Sequence, residues 1–202
     1  EHDSQNQQGE KSQELNPDLS VEVPQRSKCF QLHNQYILAQ TASGLVILDQ
    51  QAAHERVLYE HILKLKSKGE ISSQRLLFPS LIELGSKYAQ DLREILDEVN
   101  ALGFDIQDFG NDSFVVHAQP AYSNMQIDAE QCIMELLEQK DLEIDLKLEL
   151  TDRLARQIAL NASVKSGQSL SEEEMHDLID QLFACDQPNY GLRKQKTFKI
   201  LN

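Results

Sequence analysis

The sequence predicts an α+β (mixed α/β) fold of two small subdomains, each a few-stranded sheet packed with helices. Three observations carry this. Short apolar runs of strand length alternate with amphipathic stretches of helical period. Stop and turn signals, among them Gly44, Gly69, Gly103 and Gly167, separate them. Apolar residues make up 40% of a 202-residue chain, enough to build a packed core.

Residues 1–27 are Gln, Glu, Ser and Asn with almost no large apolar side chains, so they are read as a linker to something upstream. Order is expected from Cys29. Phe30 and Leu32 alternate, His33-Asn34-Gln35 can turn, and Tyr36 to Ala39 reads as a buried strand. Ala42-Ser43-Gly44 is a turn before a second strand, Leu45 to Leu48. Asp49 stands where an N-cap belongs, followed by Ala52, Val57, Leu58, Ile62 and Leu65 at helical spacing up to Gly69.

Leu76 to Leu84 is apolar but carries Pro79, which restricts it to an edge strand. Ser86 is placed to cap a helix with the stripe Tyr88, Leu92, Ile95, Leu96, Val99 and Leu102. Phe104 to Ile106 and Phe114 to Val116 flank Gly110-Asn111-Asp112 as a hairpin. Residues 126–139 form another amphipathic helix, and Leu142 to Leu150 is ambiguous. Leu154, Ile158, Ala162 and Lys165 recur at helical spacing before Gly167. Ser171 with Glu174 spells a capping box ahead of Met175, Leu178, Ile179, Leu182 and Phe183. Thr197 to Leu201 is a last strand.

A net charge of −14 works against duplex DNA, whose affinity comes from cations that displace phosphate counterions. Cys29, Cys132 and Cys185 form no CxxC pair, which suits a reducing cytosol. No apolar run reaches the ~18 residues of a membrane span.

The most informative segment is Asp49-Gln50-Gln51-Ala52-Ala53-His54-Glu55-Arg56-Val57-Leu58-Tyr59-Glu60. It sets one acid at a strand end and another on the first turns of a helix, with Gln51 and Glu55 four apart on one face. Carboxylates converging there can hold a hard divalent metal. Equally, Asp49 can be a plain cap with Glu55 paired to a base, and caps are far commoner than metal sites.

DQQAAHERVLYE resembles the DQHA-x2-E-x4-E motif of the nuclease domain of MutL-family mismatch repair proteins, matching at Asp49, Gln50, Ala52, Glu55 and Glu60. YILAQTASGLVILDQ, IALNASVKSGQSLS and LFACDQPNYGLRKQKTF are similar to further family segments in the same order, so the likeness spans roughly residues 28–202. It implies an ATP-using module upstream and a homodimer built through this domain. It also implies that residues 29–70 and 151–202 form one subdomain, with 73–145 inserted as a regulatory one.

The departures bear on the chemistry. Gln51 stands where the family motif has His, and by the same likeness Leu160, Gly191 and Arg193 stand where soft ligands belong. Neither Leu nor Gly offers a side-chain donor, and Arg cannot ligate a cation. Asp49 and Glu55 remain, with Gln51 a weak oxygen donor. No bound cofactor is expected beyond a weak Mg or Mn site, and no tight zinc; Cys185, six residues before Gly191, is read as a small core residue.

Gln74-Arg75-Leu76-Leu77-Phe78-Pro79 resembles the Gln-x-x-Leu-x-Pro peptide that engages the replicative sliding clamp, through Gln74, Leu76, Leu77 and Pro79. An ordinary edge strand with Leu76 and Phe78 in the core is the alternative. Arg193, Lys194 and Lys196 could meet phosphates, whereas Lys64, Lys66 and Lys68 read as a solvated helix face. His54 and His61 read as surface residues.

The expected function is homodimerisation and partner docking in mismatch repair, coupling the upstream ATP-using module to the clamp and other repair proteins, with only weak DNA contact, in the bacterial cytoplasm and at the nucleoid during repair. The alternative is a metal-dependent DNA-nicking endonuclease using Asp49 and Glu55.

Overall fold

The computed structural model describes residues 28–41, 44–122, 127–141 and 150–201. The linker of residues 1–27, the Ala42-Ser43 turn and the ambiguous stretch 142–149 lie outside the described residues.

Strands β1 (Cys29–Leu32), β2 (Tyr36–Thr41) and β3 (Gly44–Asp49) form an antiparallel meander. The turn between β1 and β2 places His33 and Asn34 at φ 54° and 50°, left-handed backbone that Asn tolerates better than most side chains. Helix α1 (Gln50–Lys68) starts directly at the end of β3. The Asp49 carboxylate caps it by accepting the Ala52 N–H, and Gly69 ends it at φ 68°.

Next come β4 (Ser73–Glu83), α2 (Ser86–Asn100), β5 (Asp105–Gly110) and β6 (Ser113–Pro120). Helices α3 (Ala129–Asp141), α4 (Leu150–Ala162) and α5 (Glu172–Phe183) follow, and β7 (Phe198–Leu201) closes the described chain. With five helices and two antiparallel sheets among the described residues, the architecture is the expected α+β fold.

Several local expectations shift. Ser86 is the first helical residue rather than the cap; Gly85 is the cap, and the Ser86 hydroxyl donates instead to Asp112 on the β5–β6 hairpin. Helix α4 ends at Ala162, not Lys165, because Val164 N–H turns aside to His54. The capping box at Ser171 and Glu174 forms as expected.

The four-stranded sheet runs β1-β2-β3-β7, so β7 returns to lie beside β3; the three-stranded sheet runs β4-β6-β5. In the first sheet Ile37, Ala39, Val46 and Leu48 face inward and pack with Ala53 and Val57 of α1 and Met175, Leu178, Ile179 and Leu182 of α5. A second, larger core joins Leu58 and Ile62 of α1 to α4, α3, α2 and the inner face of the second sheet. Helix α1 therefore packs into both cores on different faces.

The opposite face of the four-stranded sheet carries no helix among the described residues. Cross-strand partners there are Phe30 with Leu38, Leu38 with Ile47, Leu32 with Tyr36, and Leu45 with Leu201. Phe30, Leu32 and Leu201 are exposed, at 55%, 44% and 42%, although all three are apolar.

Candidate functional site

Of the motif acids, Asp49 ends β3 and Glu55 follows on the first turns of α1, and each has a different occupation. One Asp49 carboxylate oxygen is taken by the Ala52 N–H at 2.9 Å. The Asp49 backbone N–H donates to Thr197 O at 2.8 Å, which ties the start of α1 to the chain entering β7. Glu60 lies away from this junction, accepting the backbone N–H groups of Asp186 and Gln187 at 2.6 and 3.1 Å. Glu60 thus holds the turn after α5, and Arg56 bridges to Glu60 at 3.5 Å while donating to Tyr190 O.

Glu55 is fully buried. Its Oε1 accepts the Gln51 side-chain amide at 3.1 Å and faces a guanidinium nitrogen of Arg193 at 3.4 Å, while its Oε2 has no hydrogen-bond partner. Burial pushes the Glu55 carboxyl above its ordinary value and Asp49 adds to the push; Arg193, Gln51 and Lys165 pull it back. Gln51 cannot lend its oxygen freely, since that atom accepts the Ser166 N–H at 3.3 Å.

Leu160, at the position where the family likeness puts a cysteine, lines a cavity of about 350 Å³ with Glu135, Gln157, Lys165 and Arg193. Gln157 donates to Glu135 across it. Lys165 donates its ammonium to Leu160 O at 2.7 Å. Gly191 contributes backbone, its N–H closing a turn on Gln195 O at 2.8 Å. The turn 190–196 is pinned further by Arg156, which donates to Leu192 O, and carries Lys194 at φ 64°.

This donor set does not fit a resident zinc or a tight divalent site. Two cationic side chains, Arg193 and Lys165, lie near the carboxylates where a metal would have to sit. Among the described residues no three His, Cys, Asp or Glu side chains gather as a ligand group. Cys185 stands by Glu60 rather than Glu55, and burial with that acid raises its thiol pKa to about 12.

Two residues have roles that sequence reasoning missed. Gln50 is fully buried, its amide nitrogen facing Asn34 O, Gln168 O and Lys165 O at 2.8, 3.0 and 3.2 Å and its oxygen accepting from Gln31 at 2.6 Å. A wholly polar side chain buried that way ties β1, the β1–β2 turn and the α4–α5 connection to one helix end. His54 is not a surface residue: its Nδ1 accepts the Val164 N–H at 2.9 Å, and burial with nearby Lys165 lowers its pKa to about 4. His61 is exposed on the far side of the helix. The position of His54 on the motif helix was visible; its buried partner, over a hundred residues on, was not.

In β4 the ladder to β6 breaks register between Arg75 and Ser80. Gln74 and Pro79 are exposed, Leu76 is half-buried, and Leu77 and Phe78 are 87% and 81% exposed. The core-strand alternative fails for Phe78, because the bulge carries residues 76–79 off the ladder. Arg193, Lys194 and Lys196 are all exposed along the 190–196 turn, and Arg193 is already engaged by Glu55.

A family model described as the MutL C terminal dimerisation domain matches residues 29–170. The DNA mismatch repair protein MutL of Prosthecochloris aestuarii is 40% identical over 164 residues, 80% of this chain and 26% of that protein. The protein of the same name from Chlorobaculum tepidum is 40% identical over 163 residues, 80% of this chain and 26% of its own length. That from Chloroherpeton thalassium is 41% identical over 160 residues, covering 79% and 25%. The chain spans about a quarter of the length of these relatives.

Proposed function

Since the chain belongs to the MutL C-terminal dimerisation domain family of DNA mismatch repair proteins, we propose that it joins two copies of its parent protein through the open face of the four-stranded sheet. The observation that carries this is the apolar row Phe30, Leu38 and Ile47, flanked by Leu32, Leu45 and Leu201, on a face no described helix covers. Apolar surface left in water favours association, and a two-fold axis lets the same patch serve both partners. Sedimentation should return a species of twice the 23.0 kDa chain mass, and Leu38→Glu with Ile47→Glu should return the single chain without loss of helix signal. A parent that sediments only as a single chain at micromolar concentration overturns the reading.

The finer reading assigns docking to the bulged segment Gln74 to Pro79. Its support is the exposure of Leu77 and Phe78 beside an exposed Gln74, the arrangement an apolar-pocket peptide needs. A single short peptide gives weak binding, and the dimer strengthens it if both copies reach one clamp ring. Binding of purified clamp should be lost in a folded Gln74→Ala, Leu77→Ala double variant; equal binding by parent and variant leaves the segment a plain edge strand.

In the same reading residues 29–70 with 151–202 form the dimerising unit and 73–145 the inserted regulatory unit. Dimerisation would then bring the remaining length of the parent protein, including an ATP-using module, into pairs alongside other repair proteins in the bacterial cytoplasm. With a net charge of −14, direct DNA contact falls to the exposed Arg193, Lys194 and Lys196 turn and is weak. DNA nicking at Asp49 and Glu55 is not favoured, because the donors around them do not suit a metal.

A further inference from the structure

We infer that Arg193 takes the place of a divalent cation at the motif, so that the buried Glu55 carboxylate is neutralised from within the chain by a guanidinium delivered on the 190–196 turn. The site as built is then a clasp between α1 and that turn rather than a metal centre, and losing Arg193 uncovers a cation site.

Four observations converge. Glu55 is fully buried with one oxygen orphaned, and a buried carboxylate without compensating charge is costly. The guanidinium of Arg193 is 3.4 Å from the other oxygen, on a side chain 59% exposed, so it reaches in from the solvent edge as an entering ion would. The turn that carries it is held by backbone bonds that do not involve Glu55: Gly191 to Gln195, Leu192 O to Arg156, Tyr190 O to Arg56. Lys165 adds a second positive charge from the α4–α5 connection. With both cations present, a third positive charge approaching Asp49 and Glu55 is repelled by Arg193 and Lys165. Without Arg193, Asp49 and Glu55 with their free oxygens are left as hard ligands suited to Mn²⁺ or Mg²⁺.

Thermal melting of the whole 202-residue chain tests this, in chelator and in millimolar MnCl₂. The parent melts at the same temperature in both. Arg193→Ala melts about 5 °C lower in chelator, because the buried carboxylate has lost its partner, and manganese restores part of that loss. Adding Glu55→Gln to Arg193→Ala recovers most of the loss in chelator and abolishes the manganese response, the coupling expected when two residues act on one charge. Three results overturn the inference: a parent stabilised by manganese, an Arg193→Ala variant as stable as the parent, or a double variant no more stable than Arg193→Ala. If Arg193→Ala does not fold, the parent and the double variant decide it, and a double variant that also fails to fold overturns it. Oligomeric state is read separately by sedimentation, so this inference and the dimer reading can fail independently.

Discussion

At the scale of the residue, His54 shows how a half-buried base shapes the response to acid. Its Nδ1 must stay unprotonated to accept the Val164 N–H, and its folded pKa is lowered to about 4 from 6.5. The unfolded chain therefore takes up the proton first as pH falls, and this contribution to stability is full above about 6.5 and lost between there and about 4. The amount at stake is about 3 kcal/mol. Glu55 works the other way: its raised carboxyl value adds stability at low pH, which is lost as pH rises through that value. His54→Asn keeps an acceptor and removes the titration, so denaturant unfolding at pH 7 and pH 4.5 should show a smaller loss in the variant than in the parent. An equal loss in both would assign the acid sensitivity elsewhere. Asp49 was legible because capping is a local event, settled within three residues of sequence. Gln50, His54 and Arg193 were not, because their partners come from the far end of the chain and pairings of that range leave no periodic trace.

Among the elements, the helices read most clearly from sequence. The stripe of α5 and its capping box follow from spacing alone, and Met175, Leu178, Ile179 and Leu182 are the residues buried. Ser171→Ala removes the acceptor for the Glu174 N–H and should cost about 1 kcal/mol, measured by denaturant midpoint; restoration by Ser171→Asp would assign the loss to the cap. Boundaries were less legible where tertiary bonds competed, as at Ala162, where His54 draws away the next turn of α4. Strand β4 was legible as an edge through Pro79 but not as a bulged one, since the register break depends on how β6 pairs with it on either side.

At the scale of the whole molecule, the two cores are not independent. Helix α1 buries Ala53 and Val57 in one core and Leu58 and Ile62 in the other. Loosening either core exposes one side of that helix and withdraws support from the second. The described fold should therefore unfold in one transition, with far-ultraviolet circular dichroism and tyrosine fluorescence giving the same midpoint. Tyr36 reports on the first sheet and Tyr122 on the second core, so separated midpoints would show that the sheets melt apart. The open sheet face was not legible: β2 and β3 read as continuous apolar runs, and only the absence of a described covering helix distinguishes an uncovered face from a second buried one.

The crowding of bonds at the start of α1 also separates a motif's spelling from its chemistry. Asp49 caps, Gln50 ties three segments together, Ala52 is packed in the interior, and Glu60 receives the turn after α5. Four of the five matched letters thus have employment that no cation or phosphodiester enters. Replacing any of them harms folding whether or not the chain ever cuts a strand. Such letters can be required by architecture alone. Whether a chain spelling them can cleave is better judged from the positions that answer Leu160, Gly191 and Arg193, which lie outside the helix.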